Sequence, residues 1–212
     1  MTTSLAEVPT PAERPASVLR LAPPADGVDV AAAAHAVEDL LGALGYDLAS
    51  PDRADTPRRV AEAYAELLTP EPFRLTTFPN DEGYDELVVA RSIPFHSLCE
   101  HHLLPFAGVA HVGYLPGRRI VGLSKLARVV DHCARGLQIQ ERLTVQIGAL
   151  LEEHLEPKGV GVVVDAEHLC MSLRGVQARD ARTVTSALHG VLRDDPRTRQ
   201  EFFSLAQPNH RS

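Results

Sequence analysis

Two short segments hold most of the chain's reactive side chains. Ser97-Leu98-Cys99-Glu100-His101-His102 and, far along the chain, His168-Leu169-Cys170 together offer two thiols and three imidazoles. Thiolate and imidazole are the donors that Zn²⁺ takes readily, and in Cys-x-x-His a turn lets Cys99 and His102 converge on one ion. A structural zinc site takes four protein ligands, whereas a catalytic one takes three and leaves a position for water. Five candidates fit the second case, with three ligands and two imidazoles left for proton transfer. Spacing alone leaves open which three bind the metal.

A second group, Gly117-Arg-Arg-Ile-Val-Gly122-Leu-Ser-Lys125, imitates a phosphate loop but fails its pattern, because Leu123 intrudes and Ser and Lys are inverted. No Asn-Lys-x-Asp guanine motif accompanies it. The physics outlives the failed pattern. Ser124 and Lys125 fall at a strand-to-helix junction, where free N–H groups and the helix dipole attract anions, and Arg128 lies one turn on. Glu141, at the start of the next helix, complements that helix's dipole. It also suits a bidentate acceptor for a donor pair on a planar base, with Gln140 beside it. Arg174 follows Cys170 by four residues and adds positive charge near the proposed metal. Cys133 falls on an apolar helix face and reads as core. Glu100 and Glu167 flank the ligands as hydrogen-bonding supports. His96, His111, His132, His154 and His189 read as structural or solvated.

Positioning these residues takes a mixed set of elements. Val30 starts a 3.6-residue apolar period through Ala33, Ala34, Val37, Leu40, Leu41 and Leu44, with Gly45 as a left-handed cap. Thr56-Pro57 opens a second helix with Val60, Tyr64, Leu67 and Leu68 on one face, ended by Pro70. The period then changes. Residues 86–93 and 106–114 read as strands, with His101 and His102 in their connection, and 119–121 as a short strand. Ser124 is expected to cap a helix carrying Leu126, Val129, Val130 and Cys133 inward, stopped at Gly136. A longer helix runs from about Ile139 to Leu155. Residues 160–166 and 183–188 read as partner strands. Asp195-Pro196 starts a closing helix that packs Phe202, Phe203 and Leu205. Grouped strands around a helical pair predict an α+β fold rather than a doubly wound sheet.

Composition bounds the function classes. The chain has 212 residues, with Lys+Arg 21 against Asp+Glu 28 and a net charge of −7, which argues against a nucleic-acid coat or a membrane anchor. An anionic small molecule stays admissible, since screening over about 8 Å lets a local cationic cluster dominate one pocket. Three cysteines are too few and too scattered for a disulfide scaffold and point to a reducing, cytoplasmic setting. Nothing approaches the roughly 20 apolar residues of a membrane span. Pro9, Pro11, Pro15, Pro23 and Pro24 predict a disordered tail over residues 1–26. A helical region over 27–83 and a catalytic domain over 84–212 follow.

Five strings in fixed order carry a family resemblance: Cys99-Glu-His-His-Leu-Leu-Pro-Phe, Val121-Gly-Leu-Ser-Lys-Leu-Ala-Arg128, Gln138-Ile-Gln-Glu-Arg-Leu-Thr144, Glu167-His-Leu-Cys-Met171 with Arg174-Gly-Val176, and the ending Thr183-Val-Thr-Ser-Ala with Asp195-Pro-x-Thr-Arg-x-Glu-Phe202. The chain closely resembles GTP cyclohydrolase I over roughly residues 84–206. The resemblance implies Zn²⁺ on Cys99, His102 and Cys170 with a water as fourth ligand, and proton transfer by His101 and His168. It implies that Gln140 and Glu141 recognise the guanine edge and that Ser124, Lys125, Arg128 and Arg174 cradle the triphosphate. It also implies the tunnelling fold and a homodecamer of two pentamers with active sites shared between subunits. The implied reaction opens the guanine imidazole ring of GTP at C8, releases formate and forms 7,8-dihydroneopterin triphosphate, the first step of tetrahydrofolate and pterin synthesis. Arg135-Gly136 departs from the two arginines many members carry, and this glycine is expected to loosen the helix end. Arg58 and Arg59 are not assigned to the site.

Overall fold

A computed structural model of the chain describes residues 27–72 and 74–206; the expected tail over 1–26 lies outside them. The first two helices, α1 (Val30–Ala43) and α2 (Thr56–Leu68), pack against each other. Asp29 caps α1 by accepting from the Ala32 N–H at 2.9 Å. At the other end Gly45, with φ of 84°, turns the chain so that its N–H reaches Gly42 O and that of Tyr46 reaches Leu41 O. This is the expected glycine cap, the paired arrangement that closes a helix on its own orphan carbonyls. Asp55, one residue before the predicted Thr56, occupies the cap of α2.

Strands β1 (Thr77–Pro79) and β4 (Arg119–Val121) pair with each other, while β2 (Val88–Cys99), β3 (Pro105–Leu115), β5 (Leu137–Gln138), β6 (Gly159–His168) and β7 (Thr183–Gly190) form one sheet in the order β5-β2-β3-β6-β7. All its pairings are antiparallel except β2 with β5, so the expected antiparallel sheet is mixed at one edge. The α+β class holds. The first predicted strand, however, continues six residues beyond Ile93. Pro94 does not end it, because there β2 pairs with β3 alone and a missing N–H toward the open side costs no ladder bond. A bulge between Ala90 and Ile93, with Ser92 at φ 55°, re-aims the strand just before that proline.

Alternation along β6 divides the core. Val160, Val162, Val164 and Ala166 face α3 (Leu123–Ala134) and α4 (Gln140–Leu155), burying against Leu126, Val129, Val130, Leu143, Ile147 and Leu151. Gly159, Gly161 and Val163 face the other side, where α6 (Val191–Asp194) and α7 (Pro196–Ala206) bring Leu192 and Phe202. Gly113 of β3 lies opposite Gly161, and together they make the floor on which the Phe202 ring rests. Asp195 caps α7 through the Thr198 N–H at 2.9 Å. Of the three side chains expected to pack there, Phe202 is buried and Phe203 partly so, but Leu205 is 43% exposed. Its position on the turn faces away from the sheet.

Two local expectations are corrected. Ser124 does not cap α3; Gly122 stands there, and Ser124 lies inside the first turn. Gly136 does not leave the helix end loose. Its φ of 114° lets its N–H donate to Leu67 O at 3.3 Å, and Arg135 Nη1 donates to Glu66 O at 2.7 Å, so the end of α3 is tied to α2. Among the described residues no helix is long and apolar enough to cross a membrane.

A β-carbon at position 161 would meet the Phe202 ring at 2.7 Å. Gly161→Ala is therefore expected to destabilise the fold by about 1–3 kcal/mol through overpacking. Adding Phe202→Leu should recover part of that loss in a guanidinium melt.

Candidate active site and metal centre

The site is assembled by strand order. Cys99 ends β2 and His168 ends β6, and β3 lies between them with Phe106 opposite Ser97 on one side and His168 on the other. Adjacent strands sit about 4.8 Å apart, so 69 residues of sequence separation collapse to two strand spacings. Past Cys99 the chain turns tightly. The Cys99 carbonyl accepts from the N–H groups of both His102 and Leu103, and the Cys99 N–H donates to Leu104 O. Leu103 takes a left-handed φ of 55°, and Tyr64 from α2 donates its hydroxyl to Leu103 O at 2.9 Å. The α2 helix thus pins the turn that carries both histidines.

Arg142 holds the same turn from α4. Its guanidinium pairs with the Glu100 carboxylate at 2.5 Å and donates to Leu137 O at 2.7 Å and Gln138 Oε1 at 2.9 Å. The Glu100 N–H donates to Gln138 O, closing the clamp. Sequence reasoning gave Glu100 a supporting role but left Arg142 without one. The signal was its place in the first turn of α4, four residues after Gln138 of β5.

The ligand atoms of Cys99, His102 and Cys170 lie within 4.8 Å of one another. Cys99 is buried, Cys170 partly buried and His102 exposed, so the donors form a pocket open on one side. Cys99 Sγ is 3.8 Å from His102 Nδ1 and equally far from His101 Nδ1. Both imidazoles reach the first sulfur, but His102 completes the three-way cluster with Cys170. Burial first, and then the neighbouring Cys99 sulfur, push the Cys170 thiol up, while Arg174 pulls it down. Two sulfurs that oppose each other's ionisation in this way are relieved by a cation between them. The donor set therefore fits a metal ion. Cys133, by contrast, is fully buried away from any charge and its thiol is pushed up to about 12, which leaves it a core residue as expected.

A cavity of about 220 Å³ opens on this cluster, lined by Cys99, His101, His102, Gln140, Glu141, His168 and Cys170 with Ile139, Met171 and Thr183. The His168 ring stacks on Phe106 with centroids 4.6 Å apart and planes 3° apart. Burial pulls its pKa down and the Glu141 carboxylate pushes back. Glu141 is exposed to the cavity. Gln140 lines it too but is 1% exposed, and its amide is engaged inside the protein. Nε2 reaches Val164 O, Thr183 O and Thr185 Oγ1, while Oε1 lies 2.7 Å from His168 Nε2. Ser124, Lys125 and Arg128 lie on the first turns of α3, and none lines the cavity of a single chain. Arg174 is exposed but close enough to bias Cys170. Arg58 and Arg59 pair with Glu62 and Asp55 on α2.

Residues 33–207 match the sequence model of the family described as GTP cyclohydrolase I. The chain belongs to that family. A GTP cyclohydrolase 1 from Streptomyces avermitilis is 54% identical over 183 residues, 82% of this chain and 88% of that one. One from Mycobacteroides abscessus is 52% identical over 187 residues, 84% and 89% of the two chains. The Aquifex aeolicus enzyme is 49% identical over 176 residues, 82% and 94% of the two. A solved archaeosine synthase QueF-Like structure aligns with a TM-score of 0.38 at 20% identity, over 49% of this chain and 93% of that one.

In this cyclohydrolase family member the Glu100–Arg142 clamp touches no metal donor, yet it fixes the turn that presents them. Removing such a support commonly weakens metal binding by about 10- to 100-fold. Arg142→Met should weaken retention of an added divalent metal ion by about tenfold in competition with a chromophoric chelator, with the far-ultraviolet circular dichroism unchanged.

Proposed function

We propose that the chain is a zinc-dependent GTP cyclohydrolase I, hydrolysing the guanine ring of GTP at C8 with release of formate and formation of 7,8-dihydroneopterin triphosphate. The observation that carries the reading is the meeting of Cys99, His102 and Cys170 in one cavity with His168 and Glu141. Zinc held by the three donors would supply Lewis acidity, lowering the pKa of a water so that hydrolysis becomes available near neutral pH. The chain's own residues do the rest. Glu141, facing the cavity, accepts from the donor pair on the guanine edge. His168, held flat by Phe106, delivers a proton to the ring nitrogen beside C8, and His101, more exposed on the turn, exchanges protons with solvent.

Ser124, Lys125, Arg128 and Arg174 cradle the triphosphate, with bidentate arginine contacts the stronger. Because the three α3 residues do not line this chain's cavity, the complete site takes them from a neighbouring subunit. Two open sheet edges support a ring of subunits in the tunnelling fold. Among the described residues β7 pairs only with β6, and β2 before Leu98 pairs only with β3. The assembly proposed is a homodecamer of two pentamers, acting in a reducing cytoplasm where Cys99 and Cys170 stay thiols.

The zinc-loaded protein given GTP should release formate and yield a product that becomes a fluorescent pterin on oxidation, and a chelator should stop it. No formate from metal-replete protein overturns the reading. Cys170→Ser is expected to lose zinc and turnover while keeping its secondary structure; stoichiometric zinc in that variant refutes the ligand assignment. His168→Ala should keep its zinc and lose on the order of 10²- to 10⁴-fold in kcat.

A further inference from the structure

We infer that Gln140 is a positioning residue that fixes the proton of neutral His168 on Nε2, leaving Nδ1 as the nitrogen that carries the reacting proton, and that Thr144 and Thr185 hold Gln140 in the orientation this requires. The inference deepens the role proposed above for His168 and rests on it.

Donor and acceptor types settle the polarity of the network one bond at a time. Thr144 Oγ1 lies 2.7 Å from Gln140 O, a carbonyl that can only accept, so the Thr144 hydroxyl donates there. Its contact with Thr185 Oγ1 at 2.6 Å must then be donated by Thr185. With its one hydrogen used, Thr185 Oγ1 can only accept from the Gln140 amide group that faces it at 3.2 Å. Two more acceptor-only groups, Thr183 O at 2.8 Å and Val164 O at 3.1 Å, face the same atom. Three acceptors around one end of the amide require that end to be the NH₂. Rotating the amide would set its oxygen against two carbonyls inside a residue 1% exposed, leaving several buried groups unpaired.

Gln140 Oε1 therefore faces His168 as a pure acceptor, and the 2.7 Å contact must be donated by Nε2–H. The neutral imidazole then carries its lone pair on Nδ1. In the reaction the Nδ1–H bond of the imidazolium breaks as the bond to the substrate ring nitrogen forms, and the imidazole keeps its Nε2–H throughout. Phe106 stacked on the ring holds its plane, and Gln140 fixes its rotation within that plane. The same bonds engage both ends of the Gln140 side chain: both Nε2 hydrogens point to acceptors inside the protein and Oε1 is turned to His168. That leaves Glu141 as the side chain that reads the base.

The test uses the zinc-loaded full chain labelled with nitrogen-15 in its histidines, at alkaline pH where imidazoles are neutral. The His168 signals, assigned by their loss in His168→Ala, should show the Nε2–H tautomer, and Gln140→Leu should populate the Nδ1–H form. A wild-type spectrum with the proton on Nδ1 overturns the inference. Gln140→Leu should also lower kcat by on the order of 10²-fold. Its binding of 7-deaza-GTP, which keeps the guanine edge but lacks the nitrogen to be protonated, should stay unchanged. Weakened 7-deaza-GTP binding with kcat preserved would make Gln140 a guanine reader and sink the proposal.

Thr185→Val should cost roughly 3- to 10-fold in kcat, as expected for one lost buried bond, and Thr185→Ser should restore it. Equal turnover by the Val and Ser variants refutes the part given to Thr185. If the wild-type protein forms no formate from GTP, the functional reading fails, while the spectral arm still decides where the proton sits.

Discussion

The register of β3 between its two neighbours is the constraint on which the site depends. Phe106 lies opposite Ser97 of β2 and opposite His168 of β6, so the ends of both outer strands fall level with each other. Side chains alternate faces along a strand, so a slip of one residue would send His168 and the valines of β6 to opposite sides from those they now occupy. The hydrophobic alternation that seats Val160, Val162 and Val164 under α4 is therefore the same force that aims His168 at the cavity. The glycine pair Gly113 and Gly161 guards that register from the opposite face, where only a missing side chain admits the Phe202 ring.

Around that frame, the polar groups of the site are held from behind. Tyr64 and Arg142 approach the histidine turn from two different helices, and Thr144 and Thr185 approach Gln140 from a helix and a strand. Arg142, Thr144 and Thr185 are each bonded to a further group as well, and among the described residues no buried side-chain nitrogen or oxygen lacks a partner. A satisfied network of this kind resists rearrangement, because moving any one member strands another away from water. Charge follows the same local logic. The chain is acidic overall, but the cavity sets two sulfurs side by side with Arg174 near them, an environment that a cation stabilises whatever the net charge of −7.

Much of this was legible in the residues. The glycine cap of α1, the span of α4, the β4 strand, the pairing of β6 with β7 and the burial of Cys133 all follow from local chemistry: a glycine that takes positive φ without strain, an apolar period, a run of β-branched residues. The cysteine and histidine segments announced, by donor type, a cluster that could hold a metal ion. Three local readings failed. The strand read over 86–93 runs on to Cys99, because residue types do not say how far β3 goes on pairing with it. Ser124 reads as a cap by residue type, but Gly122, two residues earlier, holds that place. Gly136 looked loose because its bond partner, Leu67, lies 69 residues away.

What the sequence by itself determined was the inventory: thiols and imidazoles in two segments, cations on one helix, an acidic residue at the start of another, and five strings in the order of one family. Only the tertiary structure decided how that inventory is divided. It joined His102 rather than His101 to both sulfurs, kept the α3 cations out of the single chain's cavity, and turned Gln140 inward to bond His168. The reason is physical. Residue types fix which bonds are possible, but a hydrogen bond or a metal chelate needs its partners within about 3–5 Å, and only the packed sheet sets those distances.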